Sequence, residues 1–221
     1  MKHFLFYIVL IFCGINSQAQ INELGVFVGG TNYIGDVGPT DYIAPNEPSI
    51  GILYKWNRSP RHAYRFSYTQ GKLTARDIDS DVPSRYLRGN SFENSVKEFS
   101  AGLEFSFMDF DLLDGDPKFS PYVYSGLSYF IYDEIYILDN NSREDYQSST
   151  FAIPMVLGLK ARLFQNFIIG AEVGFRYTFT DNLDGSNPKN DNFESLRFGN
   201  KNSNDWYVFT GLTLTYTFGQ N

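Results

Sequence analysis

From Leu212 to Phe218 the chain sets Leu212, Leu214, Tyr216 and Phe218 against Thr213, Thr215 and Thr217, one large apolar residue for each threonine. A repeat of two residues is the period of a β-strand whose two faces meet unlike surroundings; a helix would spread the same residues around its circumference. The pattern runs back through Gly211 and Phe209 to Trp206, so the strand is long and has aromatic residues at both ends. Such a strand suits a sheet closed on itself within a bilayer, where every backbone polar group must be paired. On that reading Leu212, Leu214, Tyr216 and Phe218 face lipid, and Gly211, Thr213, Thr215 and Thr217 face a lumen.

Residues 23–30, 49–57, 62–73, 95–108, 120–131, 150–163 and 167–179 read as further strands, giving about eight with the last. Many are near the roughly 9–11 residues that a tilted strand needs to cross a bilayer. In 95–108, Phe99, Ala101, Leu103, Phe105 and Phe107 oppose Glu98, Ser100, Gly102, Glu104 and Ser106. For 120–131 the pattern does not decide which face is outermost. Long polar segments at 31–48, 74–94, 132–149 and 180–205 are separated by short turns at 58–61 and 165–166 and a medium connection at 109–119. This asymmetry predicts an all-β fold: an eight-stranded antiparallel transmembrane outer-membrane β-barrel with short periplasmic turns and long external loops. A mean hydropathy of −0.28 is compatible, because only alternate residues of such strands meet lipid.

The chain begins Met-Lys-His, continues with an apolar run from Phe4 to Phe12, and reaches Ser17-Gln18-Ala19 before Gln20. A basic start, a short apolar core and a small-x-small junction predict a cleaved signal peptide over 1–19, with the barrel over 20–221. The apolar run is too short to span a bilayer, and no other run reaches membrane-helix length. Cys13 lies inside this segment, and beyond it there is no cysteine and a single histidine, His62, so a disulfide framework and a zinc-like Cys/His spacing are both excluded. A net charge of −7 disfavours a nucleic-acid partner.

Charged residues fall on the expected inward faces: Lys55, Arg65, Glu98, Glu104, Lys160, Arg162, Glu172 and Arg176. A soluble eight-stranded barrel would fill its interior with bulky apolar side chains, so these charges favour the membrane reading over a secreted sandwich. A narrow barrel is filled by its own side chains, which makes a salt-bridge network the expected role and a solute pore the lesser one.

Chemistry is scarce. His62 falls at a periplasmic turn, without a sign of a nucleophile held beside it, and is expected to be a surface residue. Asp181-Asn-Leu-Asp184-Gly185 resembles the start of a calcium loop, but Leu183 occupies a ligand position and no closing Glu follows at the right spacing. Asp77, Asp79 and Asp81 read as solvated loop charge. No catalytic residue, metal or cofactor is expected. The connection 109–119 mixes Asp109, Asp111 and Asp114 with Phe110, Leu112 and Leu113. It reads either as a small cap over the barrel mouth or as a docking turn with apolar anchors ringed by charge.

The segment Glu23-Leu-Gly-Val-Phe-Val-Gly-Gly-Thr-Asn32-Tyr33-Ile34-Gly35-Asp36-Val-Gly38-Pro39 resembles the start of the PorG-like family of Bacteroidota outer-membrane proteins. The matched features are the Glu-Leu-Gly strand and Asn32, Tyr33, Gly35 and Asp36 leading into Gly38. That resemblance implies a non-catalytic subunit of the type IX secretion system. Its implied partners are the ring lipoprotein and ring subunit on the periplasmic side, with gliding motility in some species. The residues themselves imply outer-membrane lipid as solvent, and an aromatic last strand suits the barrel-insertion machinery. The alternative is an autonomous barrel whose external loops bind a surface ligand or another cell.

Overall fold

The computed structural model describes residues 21–112, 119–200 and 203–219. The expected signal peptide, and Leu113 and Asp114 of the 109–119 connection, lie outside them.

Eight strands pair in sequence order and the last returns to the first: β1 (Ile21–Ile34), β2 (Glu47–Asn57), β3 (His62–Arg76), β4 (Ser91–Ser106), β5 (Phe119–Leu138), β6 (Asn141–Phe164), β7 (Phe167–Thr178) and β8 (Trp206–Phe218). Each neighbour is antiparallel, and β1 closes on β8 from Asn22 opposite Phe218 to Ile34 opposite Trp206. Closure leaves no open edge within the wall, which is the condition for a sheet to stand in lipid. The strand ends at Ile21 and Phe218 share one end with the short turns, the periplasmic side. The long loops gather at the other, external end.

The outward faces carry an apolar belt, with Leu24, Ile52, Phe66, Phe99, Leu127, Leu157, Leu212 and Leu214 all exposed. A water-facing surface does not carry an apolar area that encircles the molecule, so the solvent here is lipid. In β8 the expected faces hold: Leu214 is exposed and Thr213, Thr215 and Thr217 are buried. In β5, Tyr122, Tyr124 and Ser128 point inward, deciding the face that the sequence left open. Gly158 of β6 makes room for Tyr122: a Cβ there would stand 2.3 Å from the Tyr122 ring.

Two expectations are corrected. Residues 132–149 are not a loop: β5 and β6 continue as a hairpin above the wall and turn at Asp139-Asn140, both with positive φ. Two central residues with φ above zero are the signature of the tight turn that matches strand twist. The interior is also not uniformly polar. Phe27, Leu53, Val96, Phe130, Tyr207 and Phe209 form an apolar core in its external half. The charges occupy a band nearer the periplasmic end, and below them Ile21, Phe110, Leu112 and Ile168 form a second small cluster.

Candidate functional site

Glu104 is the centre of the charged band. Its carboxylate takes Lys55 Nζ at 2.7 Å and Lys160 Nζ at 2.8 Å, with Arg65 Nη1 at 3.8 Å. Arg65 forks onto Glu172 with bonds of 2.7 and 2.8 Å, and the Tyr122 hydroxyl donates to the same carboxylate at 2.5 Å. Arg176 grips Glu98 at 3.1 Å, and Tyr207 donates to that carboxylate at 2.6 Å. Glu23 completes the set, accepting from Asn57 and Thr215 at 2.9 and 2.8 Å. Lys55, Arg65, Lys160 and Arg176 therefore face Glu23, Glu98, Glu104 and Glu172, a neutral sum in a buried band. Pairing with opposite charge and with hydroxyl and amide donors makes this burial tolerable, although Arg65 Nε has no hydrogen-bond partner among the described residues. The predicted network is assembled, with one exception. Arg162 sits below it at the periplasmic rim and donates to the Asp111 carbonyl at 2.7 Å, so it holds the connecting segment.

The described residues of that segment enter the lower mouth. Phe110 and Leu112 are buried against Ile21 and Ile168, and Lys160 lies 4.8 Å from the Phe110 ring centre. These two anchors of the expected docking turn point into the barrel, so they serve as a cap. Among its described residues Asp109 is exposed, bonded to Arg61 at 2.5 Å. His62, on the adjacent turn, has its Nδ1 3.1 Å from Ser59 Oγ, and both are exposed. Ser59 Oγ also accepts the Arg61 and His62 backbone N–H groups, which is the geometry of a turn hydroxyl. Among the described residues no carboxylate orients the imidazole, and no group of His, Cys, Asp or Glu is arranged to hold a metal.

The external mouth is tied by the segment that follows β1. Tyr33 donates its hydroxyl to Asp205, just before β8. The Asp36 and Val37 N–H groups donate to Asp184 at 3.2 and 3.1 Å, and the Gly38 N–H to Asp77 at 2.9 Å. Arg85, in the short helix α1 (Pro83–Arg88), donates to the Gly35 and Gly38 carbonyls at 2.8 and 2.7 Å. Arg88 donates to the Asp36 carbonyl at 2.7 Å. Gly35 admits no side chain, since a Cβ would overlap the Tyr33 hydroxyl, and Gly38 has φ +85. Asn32 acts on the outer side, donating to the Asp41 carbonyl at 3.2 Å and folding the first loop against the wall. The motif residues thus form one construction at the external end. Asp77 is corrected from solvated charge to a buried carboxylate held by Arg88 at 2.6 Å. Asp79 pairs with Arg76 on the surface at 2.8 Å. The calcium-like segment folds into the mouth, where Leu183 is buried and its N–H donates to Asp205 at 2.8 Å.

A family model described as a domain of unknown function, DUF6089, matches residues 2–221. The chain belongs to that family. No curated protein is significantly similar to it in sequence. Among solved structures, the DUF6089 chain resembles Ail, the attachment invasion locus protein of Yersinia pestis, at 12% identity and a TM-score of 0.49, over 90% of this chain and 99% of that one. Neisserial surface protein A is similar at 12% identity and a TM-score of 0.47, over 90% and 95%. The N-terminal β-barrel domain of Pseudomonas aeruginosa OprF is similar at 13% identity and a TM-score of 0.46, over 91% and 98%. These are likenesses of outline without residue correspondence.

Asp205, Asp184 and Asp181 of the external mouth of this DUF6089 barrel crowd one another without, among the described residues, a cation such as the Arg88 that holds Asp77. Burial, then the charge of neighbouring Asp184, raises Asp205 well above the usual carboxylate range, and burial likewise raises Asp184. Asp181 is pushed up to about 6, first by burial and then by the charges of Asp36 and Asp184. A carboxylate whose pKa rises on folding stabilises the fold fully below its unfolded value, and this contribution is lost as pH rises through the folded one. The mouth should therefore be tighter at pH 4 than above pH 6, and the Leu183 and Ser186 amides should open more often as pH rises, after correction for intrinsic exchange. Asp181→Asn should flatten the part of this dependence near pH 6; an unchanged profile would remove Asp181 as its source.

Proposed function

We propose that this barrel is a non-catalytic anchoring subunit of the outer membrane that works by what it holds in place. The observation that carries this reading is the closure of the lumen at three levels: the lower cap of Phe110 and Leu112, the neutral charged band, and the external apolar core beneath the tied loops. A filled interior gives solutes no path, and among the described residues no carboxylate bonds the imidazole of the Ser59–His62 pair, as nucleophilic catalysis would require.

The specific assembly we propose is type IX secretion, on the resemblance of the segment from Asn32 to Gly38 to the PorG-like family. The motif lies at the external mouth, so its part in such an assembly is to shape the barrel. Contact with a periplasmic ring falls to the opposite end, where Arg58, Arg61 and Asp109 are accessible. Disrupting the gene should trap several unrelated exported proteins in the periplasm. Arg61→Ala with Asp109→Ala should lower recovery of ring components in pull-downs while leaving the barrel folded. Normal export in the disrupted strain, with loss of surface attachment instead, would favour the autonomous barrel acting through its loops.

A further inference from the structure

The β5–β6 hairpin rises above its neighbours and leaves one strand edge open. β6 pairs with β7 only up to Ala152 opposite Thr178, and the Phe179 N–H then donates to the Phe151 carbonyl at 3.0 Å. At its tip β6 also bridges Ser91 of β4 through Asn141. From Arg143 to Thr150 its ladder partner is β5 on one side, and no backbone bond on the other side is found among the described residues. Phe151 points its carbonyl toward β7, so by the alternation of a strand Gln147 and Ser149 point their N–H and C=O groups to the same side. Both residues are exposed. The fourth loop touches this edge through a side chain, Asn190 donating to Asp145 at 2.9 Å. The ladder shifts register at Glu134/Ile135, opposite the stretch from Glu144 to Tyr146, which ends the flat edge above Tyr146.

An open row of amides and carbonyls in water is a template for another strand. We infer that the β6 edge around Gln147 and Ser149 receives an extended, basic segment of a partner polypeptide on the external side. The charge follows from the surroundings: Glu144 and Asp145 stand on the strand itself and Asp191 follows Asn190, whose side chain bonds Asp145, against Arg143. Nearby Lys189 is committed to Glu134 and Arg197 to Glu194. An acidic frame around a strand edge selects a cationic strand and repels polyanions. A second copy in the same membrane fits poorly. Barrel strands tilt by about 35–45°, so edges related by a two-fold axis along the membrane normal would cross and not run alongside each other.

The test uses the full barrel in lipid nanodiscs and a synthetic peptide of alternating lysine and valine, about ten residues long, a typical strand length. A control peptide of equal charge has the N–H groups of one edge methylated. The unmodified peptide should bind and slow exchange of the Gln147 and Ser149 amides about tenfold, equivalent to about 1.4 kcal/mol. The methylated peptide should not. Gln147→Pro, which removes an N–H on the open side and leaves the β5 ladder intact, should weaken binding about as much. Equal binding of both peptides would reduce the interaction to charge adsorption and overturn the proposal. So would Gln147 and Ser149 amides already as protected in the free protein as those of the ladder. Concentration-dependent pairing of barrels through this edge would replace the partner with a second copy and overturn it too.

Discussion

Glu104→Ala should destabilise the barrel by about 3–5 kcal/mol, the cost of stranding buried charges that lose their partner. Lys55 and Lys160 both direct their ammonium groups at this carboxylate at 2.7 and 2.8 Å, in a region with no access to water. Arg65 keeps Glu172 and is the least affected of the three. The substitution also unbalances the band, leaving four cations against three carboxylates where there were four of each. Glu104→Gln paired with Lys160→Met restores the balance, and it should recover a large part of the loss. Urea unfolding in vesicles measures both. A Glu104→Ala barrel as stable as the parent would mean that water reaches the band, and the lumen would then not be sealed.

Leu214→Arg should cost about 2–4 kcal/mol if the residue sits near the bilayer midplane, from placing a guanidinium against lipid. Leu214 is exposed on the outer face, whereas Thr213 beside it is buried in a filled interior. Thr213 is therefore not a tolerant site for a large side chain: its hydroxyl lies 2.5 Å from where a Cβ on Gly170 would be. The suitable lumen-side comparison is Thr213→Ser, which should be nearly silent. Equal loss at the two positions in vesicles, or no loss at Leu214, would undo the face assignment.

These predictions rest on features that differ in how visible they are along the chain. β8 is legible because its faces meet lipid and a packed lumen, so Leu214 and Thr213 carry opposite chemistry. The β5–β6 extension is not, since from Asp139 to Ser149 both faces are polar and leave the lipid, and the short apolar run 135–138 before it is flanked by charge, so a polar strand looks like a polar loop. Periodicity predicts which residues turn inward but not what they meet. Lys55, Glu104 and Lys160 come from three strands, and only register brings them to one point. The apolar upper core hides for a related reason. Phe27 and Phe209 share faces with glycines and threonines, and they are covered once the external loops fold over them. Asp77 looks solvated in sequence because its partners, Arg88 and the Gly38 N–H, come from a helix turn and a distant loop. Phe110 and Leu112 carry the chemistry of anchors in either role, and burial against Ile168 decides for the cap.

Ion conductance across a planar bilayer carrying the purified barrel tests the sealed interior most directly. With the lower cap, the charged band and the upper core in place, the current should stay at the level of the bare membrane, and Glu104→Gln with Lys160→Met should leave it there. Stable, reproducible current steps from the unmodified protein would contradict a closed lumen and make the barrel a channel.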